Sequence, residues 1–463
     1  MALKELFRTK PLEQAPVLGE SLQPCLTAFD LILFGIGAII GAGVFVLTGV
    51  VAATTAGPGV VFSYLMAGLA SMFAALSYAE LAASIGGCGS AYNYAYIGFG
   101  ELLAWLIGWN LIFEYGLAVS TVAIGWAGYV NDVLLALHIH LPHSLTQGPF
   151  QGGTLNLLAV LIIGVLTALL CLGVKESARF NAVIVFIKLL TIAAFLAIAL
   201  THLQPHYWHP FFPFGWSGVM QGAALVFFAY IGFDALSTAA EETVQPQRNL
   251  PIGILVSMVV CTLIYIVVAA CLTGIVSYKS LNVSSPVAAA LLELHHPLAA
   301  GLIGAGAIAG LTTVMLVMFY GLTRIFLAIS RDGLLPTFFA NVHPRTHTPI
   351  PIIIVSGFLI ALLAGILPIH RAAELVNIGT LTAFTLVCAG VIVLRRTQPA
   401  LPRPFKLPLN PLIPSLGIFF CLYLMINLPA ITWWRFLIWI ILGIVIYFAY
   451  SKKHSRLEKT AAG

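Results

Sequence analysis

Three ionisable side chains and two glycine clusters, all embedded in apolar sequence, are the residues with chemistry to offer. Lys188 lies in Val183-Ile184-Val185-Phe186-Ile187-Lys188-Leu189-Leu190, Glu114 in Trp109-Asn110-Leu111-Ile112-Phe113-Glu114-Tyr115, and Asp234 just after Gly232-Phe233. A charge near the centre of a membrane span costs about 2.5–3.5 kcal/mol on insertion scales, so such a residue is a functional candidate by default. For Lys188 the chemistry is the holding and release of a proton, since it stands too far into its apolar run for easy snorkelling. Glu114 fits the same work or a hydrogen bond to a neighbouring helix. Asp234 reads equally as machinery or as a helix cap.

The glycine clusters offer backbone chemistry instead. Gly35-Ile36-Gly37-Ala38-Ile39-Ile40-Gly41-Ala42-Gly43-Val44-Phe45 interrupts the first apolar run, and Phe227-Phe228-Ala229-Tyr230-Ile231-Gly232-Phe233-Asp234 the sixth. Where a transmembrane helix unwinds near the bilayer midplane, its freed amides and carbonyls grip a substrate. Amides at Ala42, Gly43 and Val44, aided by a helix N-terminal dipole, suit a carboxylate. The carbonyls of Phe228, Ala229 and Ile231 suit an ammonium. Together, with Gly41 and Gly232 marking the breaks, they predict recognition of a zwitterionic head group, leaving the side-chain pocket free to vary. Gly37 and Gly41 also spell a small-xxx-small packing face, and that reading stands beside backbone exposure. A dinucleotide loop is excluded, because the glycines lie inside one long apolar run with no flanking strand and helix.

Apolar helices must position these groups. The chain has 463 residues, 60% hydrophobic and 8% charged, at a mean hydropathy of +1.02, whereas soluble domains carry roughly 25% charge. A water-soluble enzyme is excluded. Apolar runs long enough to span a bilayer recur from Ala28 almost to the C-terminus, which predicts an all-α polytopic membrane protein with about twelve transmembrane helices. Cytoplasmic loops retain Lys and Arg, and the 21 basic residues test that number. With the N-terminus inside, the inner side receives Lys4, Arg8, Lys10, Lys175, Arg179, Arg248, Arg324, Arg331, Arg345, Arg395, Arg396, Arg403, Lys406, Lys452, Lys453, Arg456 and Lys459. Only Lys279, Arg371 and Arg435 fall outside, and Lys188 alone falls within a span. Both termini are therefore expected in the cytoplasm of a multi-pass cell-membrane protein.

A net charge of +5 does not point to nucleic acid, because no basic stripe with interleaved aromatics appears on a polar face. The seven cysteines show no CxxC or Cys/His metal spacing and read as small buried hydrophobes. His138, His140 and His143 share a polar loop without a carboxylate and receive no function. No metal or cofactor is expected. Residues 1–24 are polar and carry Lys4, Arg8 and Lys10, so no cleavable signal peptide is expected, and the first apolar run stays in the membrane.

At these residues the chain resembles the amino acid–polyamine–organocation superfamily, in its bacterial branch related to cationic amino acid transporters. Beyond the two glycine motifs and Glu241-Glu242, the likeness is carried by Leu6-Phe7-Arg8-Thr9-Lys10-Pro11-Leu12, Ser177-Ala178-Arg179-Phe180-Asn181, Ser330-Arg331-Asp332-Gly333-Leu334-Leu335-Pro336 and Arg403-Pro404-Phe405. The resemblance implies a LeuT-like fold of two inverted five-helix repeats plus two C-terminal helices. It implies that Ile40, Ala42, Gly43, Phe228, Ala229 and Ile231 surround the substrate head group, and that Ala118 and Met318 line the space for its side chain. Lys188 matches the family lysine that stands where sodium-coupled relatives bind an ion, and Glu114 a second acidic position linked to proton coupling. Two departures are visible: Ala42 replaces a frequent Thr, and Asn110 replaces an Asp. A small single-helix membrane subunit is an optional partner of an otherwise monomeric carrier.

The expected organisation is a cytoplasmic segment at 1–27, a first repeat at 28–202, a second at 218–396, two further helices within 411–450 and a cytoplasmic tail at 451–463. The expected function is proton-coupled uptake of neutral L-amino acids by alternating access, bulky Met318 disfavouring long side chains. The rival is an exchanger of amino acids or polyamines, cationic amino acids included. An intramembrane enzyme is excluded, since no metal pair or serine–lysine dyad appears at suitable spacing.

Overall fold

Apolar segments that find no water in a bilayer must close their backbone hydrogen bonds internally, and the chain folds accordingly. In the computed structural model, which describes residues 8–11, 22–41, 43–283, 285–367, 369–426, 428 and 430–457, helix follows helix. Among the described residues the sole β-type pairing is an isolated parallel bridge between Leu26 and Thr243. The main helices are α1 (Ala28–Ile39), α2 (Val60–Ser84), α3 (Ala91–Gly98), α4 (Glu101–Ala136), α5 (Leu157–Leu172), α6 (Val174–Thr201), α7 (Gly215–Val226), α8 (Pro246–Ile275), α9 (Pro286–Glu293), α10 (Pro297–Arg331), α11 (Ile350–Ile366), α12 (Ile369–Thr397), α13 (Leu412–Ile426) and α14 (Ala430–Ile446).

Eight helical stretches among the described residues are long and apolar enough to cross a membrane, and α1, α5, α11 and α13 are shorter apolar helices. One of the eight, Gly43–Ser84, has 42 residues, or about 63 Å at 1.5 Å per residue, twice a hydrocarbon core of about 30 Å. It turns at Gly57, where φ is +61° and an added Cβ would lie 2.3 Å from Pro213. That turn separates α2 from the helical run that continues α1. Two features go beyond the apolar runs read from the sequence. In the sequence the fifth apolar run opens only at Ala182, but α6 opens at Val174, just after Gly173 at φ +140° breaks the chain. Helix α3, eight residues long, lies between the second and third apolar runs and is too short to cross a membrane.

Packing groups the helices in pairs. α2 runs along α8, α4 along α10 and α5 along α11, while α1 packs on α8, α6 and α10. Helix α1 opens on a capping box in which Asp30 accepts from the Thr27 amide and hydroxyl and returns a hydrogen bond through its own amide. The segment before it is strapped to the end of the sixth apolar run: the Cys25 and Leu26 amides donate to the Glu242 carbonyl at 2.8 and 2.9 Å, and the Val244 amide to Leu26 at 2.9 Å. Burial pushes the Cys25 thiol up to about 11, so this cysteine stays a neutral thiol. Among the described residues every cysteine is free, and five of the seven are buried.

Polar groups gather where α10 ends. Glu242 accepts from Arg324 Nη2 at 2.8 Å and Nε at 3.1 Å, and from the Tyr320 hydroxyl. Arg331 meets Glu241 at 2.6 Å and Arg395 meets Glu80 at 2.5 Å. The Glu101 carboxylate accepts from Tyr96, Tyr447 and Ser455 at 3.0, 2.9 and 2.6 Å, and its amide donates to Arg8. Asp332 accepts from Lys10 at 2.6 Å and Tyr92 at 2.8 Å, while its carbonyl takes the Arg456 amide. Residues 8–10 and residues 447–456 are thus tied to one face. Arg324 and Glu242 are each 1% exposed, so Arg324→Ala strands a buried carboxylate, at a cost of about 3–5 kcal/mol. The expected result is a clear fall in the thermal midpoint of the purified protein, smaller in Glu242→Met/Arg324→Met. An unchanged midpoint in Arg324→Ala would show the pair to be idle.

Candidate functional site

The last four carbonyls of a helix have no partner within it, and α1 ends in the middle of the molecule. Ile40 turns extended, at ψ 102°; its amide still meets the Ile36 carbonyl at 3.0 Å, but the helical ladder stops there. Lys188 reaches across from α6 and fills the need. Its Nζ lies 2.9 Å from the Ile36 carbonyl, 3.1 Å from Gly37, 2.9 Å from Ile40 and 3.0 Å from the Thr313 hydroxyl on α10. A cation at a helix C-terminus also meets the negative end of the macrodipole. Lys188 is fully buried, and with α6 opening at Val174 it stands about 21 Å along its helix, beyond any snorkelling reach.

The second break follows α7. A tight 3₁₀ turn at Phe227–Tyr230 gives way to extended Ile231 and then to Gly232 at φ +120°, after which 3₁₀ turns run over Phe233–Glu242. Only glycine suits Gly232: φ lies in the left-handed half of the map, and an added Cβ would stand 3.0 Å from both the Cβ and the carbonyl of Ala38. The two breaks press on each other at Gly43 as well, where an added Cβ would meet Ala229 Cβ at 2.3 Å and Cα at 2.8 Å.

The two readings of the first glycine cluster divide along its length. Gly35 packs on Ser257, Gly37 on Asn181 and Gly41 on Val314, so these three serve close packing. Gly43 lies where the breaks face each other, and its amide, like that of Val44, donates to no described residue. Ala42 lies outside the described residues. On the opposite side the Phe228 carbonyl accepts the Ile231 amide at 3.2 Å and the Ala229 carbonyl accepts the Tyr265 hydroxyl at 2.9 Å. Each keeps one lone pair for a further donor. Ile40, Gly41, Gly43, Ala229, Ile231 and Gly232 are buried and Phe228 half-buried. Ala118 and Met318 are buried on α4 and α10, which pack along each other.

Glu114 and Asp234 are buried at a second site. Glu114 Oε1 accepts from the Thr380 hydroxyl, while Oε2 is buried and has no partner. Asp234 Oδ2 accepts from the Tyr115 hydroxyl and Oδ1 from the Gly232 amide at 3.2 Å. Asp234 is therefore a cap for the second break and a neighbour of the acidic site at once. His138, His140 and His143 form no metal-holding cluster, and no group of three or more ligand side chains does so among the described residues.

Reading the sequence missed Thr313, Thr380 and the tyrosines Tyr64, Tyr230 and Tyr265. Tyr64 donates to the Gly43 carbonyl at 2.8 Å and Tyr230 to the Tyr64 carbonyl at 2.9 Å. The available signal was a hydroxyl inside an apolar run, and it is shared with many residues that merely bond their own helix.

Residues 26–447 of the chain match a known family model, described as amino acid permease. The chain belongs to the amino acid permease family. This permease is 50% identical over 462 residues to the branched-chain amino acid permease BcaP of Bacillus subtilis (strain 168), covering 98% of this chain and 99% of that one. It is 47% identical to the methylthioribose transporter of the same organism, over 99% and 100% of the two chains. It is 38% identical to the vacuolar cationic amino acid transporter 4 of Arabidopsis thaliana, over 81% of this chain and 64% of that one. The permease is accordingly a multi-pass plasma-membrane transporter of the amino acid–polyamine–organocation superfamily, and not an enzyme.

Proposed function

We propose that the permease takes up neutral L-amino acids together with protons by alternating access. The observation that carries this reading is the Lys188 ammonium bound to three carbonyls of α1 immediately before the break. In this reading the head group binds backbone at Ile40, Gly41, Ala42, Gly43, Phe228, Ala229, Ile231 and Gly232. Its side chain points between Ala118 and Met318, and Lys188 with Glu114 carries the proton. A proton moving on or off Lys188 changes its grip on α1, and so biases one state of the carrier against another.

The fold proposed is the LeuT type: twelve spans, two inverted five-helix repeats and both termini cytoplasmic. It is supported by the pairing of the second run with the seventh, the third with the eighth and the fourth with the ninth, each element meeting the one five places on. A monomer with an optional single-helix subunit is proposed with it. Neither Ala118 nor Met318, on the paired helices α4 and α10, carries charge. A medium apolar side chain of the branched-chain type is the substrate we favour, as the name of the relative at 50% identity suggests.

Reconstituted vesicles test the reading. Uptake of labelled L-valine driven by an imposed inward proton gradient, without internal amino acid, is the expected result. Uptake only with internal amino acid would make the protein an exchanger and overturn symport. Met318→Ala is expected to admit longer side chains such as L-methionine, improving their competition with L-valine by roughly 10–100-fold, the usual worth of one to three methylenes. Unchanged competition would place the side-chain space elsewhere.

A further inference from the structure

We propose that Tyr265 is a positioning residue whose single hydroxyl proton passes between the two broken helices according to whether a substrate ammonium is bound. The inference rests on the amino acid site proposed above. The Tyr265 hydroxyl oxygen stands 2.6 Å from the Ile39 carbonyl and 2.9 Å from the Ala229 carbonyl, and the side chain is fully buried. A phenol has one hydrogen and donates to one carbonyl at a time. No other described residue donates to either oxygen, so among the described residues one of the two carbonyls is short of a donor at any moment, an arrangement that buried acceptors avoid.

Ile39 and Ala229 belong to opposite breaks. An ammonium arriving at the second break brings three hydrogens and supplies the Ala229 carbonyl. The Tyr265 proton is then committed to Ile39, beside the Ile36, Gly37 and Ile40 carbonyls that hold Lys188. Occupancy of the head-group site thus reaches the lysine through one hydroxyl. The ring is kept in place by Tyr64 and Tyr230, with centroids 5.1 and 5.4 Å away. Neither neighbour competes, because their hydroxyls are engaged at the Gly43 and Tyr64 carbonyls.

The test uses the full chain, purified for calorimetric titration with L-valine and reconstituted for uptake. Tyr265→Phe keeps the ring and removes the proton. It is expected to bind L-valine within about threefold of the parent while proton-driven turnover falls roughly tenfold or more. A merely structural role would weaken binding and turnover together, and unchanged turnover would equally overturn the inference. A second measurement retains the hydroxyl: 3-fluorotyrosine incorporated in place of Tyr265 is expected to shift its fluorine resonance on addition of L-valine and not with α-hydroxyisovaleric acid, which lacks the ammonium. A resonance unmoved by saturating L-valine, or moved alike by both compounds, overturns it even where Tyr265→Phe does not fold. Failure of the unsubstituted protein to bind any neutral amino acid defeats the proposed substrate and this inference with it, an outcome distinguished by arising without substitution.

Discussion

Lys188→Ala is expected to fold and to lose all response of uptake to an imposed proton gradient. The substitution removes one ammonium from four oxygen partners. A buried acceptor left unmet costs about 1–3 kcal/mol, but the vacated space is polar and roomy enough to admit water, which bridges such groups. The thermal midpoint should therefore fall without collapse. Water cannot take the proton-carrying role proposed for the amine, so accumulation against a gradient is expected to drop to background while exchange down a gradient persists. Lys188→Arg should fail as well, because a planar fork cannot place one nitrogen among three converging carbonyls. Undiminished pH-dependent uptake by Lys188→Ala would remove the lysine from the mechanism.

Gly43→Val should abolish amino acid binding, raising the dissociation constant on the order of 100-fold or more, equivalent to about 2.7 kcal/mol. The space at Gly43 is bounded by Ala229 Cβ and by Ala229 Cα, at 2.3 and 2.8 Å from an added Cβ. A side-chain neighbour can rotate away, but a backbone atom cannot, so the two breaks must separate and the amides and carbonyls no longer converge. Gly43→Ala should show the same loss in milder form. Gly116→Ala is the control, since nothing lies within 4 Å of its added Cβ. Normal affinity for L-valine in Gly43→Val would mean that the head group binds elsewhere.

Much of this architecture was legible because a bilayer leaves few choices. Apolar runs longer than any soluble helix needs, interrupted by Gly41-Ala42-Gly43 and Gly232, announced both the helices and their breaks, and a lone Lys188 among aliphatic residues announced itself. The partners of that lysine were not legible. Thr313 lies 125 residues further along the chain, Ile36 152 residues before, and no local spacing encodes a meeting between them. Tyr265 was hidden for a related reason: its function depends on two carbonyls contributed by segments that touch only after folding. The first turns of α6 are not legible as helix because Lys175, Glu176 and Arg179 read as loop, although their charges lie at the end of a helix where water is available.

The knots at Glu101 and Asp332 bear on how the protein is made. They join Arg8 and Lys10 to Tyr92 and Tyr96, and these to Tyr447, Ser455 and Arg456. A ribosome adding about 5–20 residues per second spends roughly 20–90 s between the first of these residues and the last. Throughout that time the Glu101 carboxylate has Tyr96 within reach but neither Tyr447 nor Ser455. The face where residues 8–10 meet residues 447–456 is therefore the last part of the molecule to close during biogenesis, after the helices between have entered the membrane, and a nascent chain halted before Tyr447 leaves that face open to the cell's surveillance proteases.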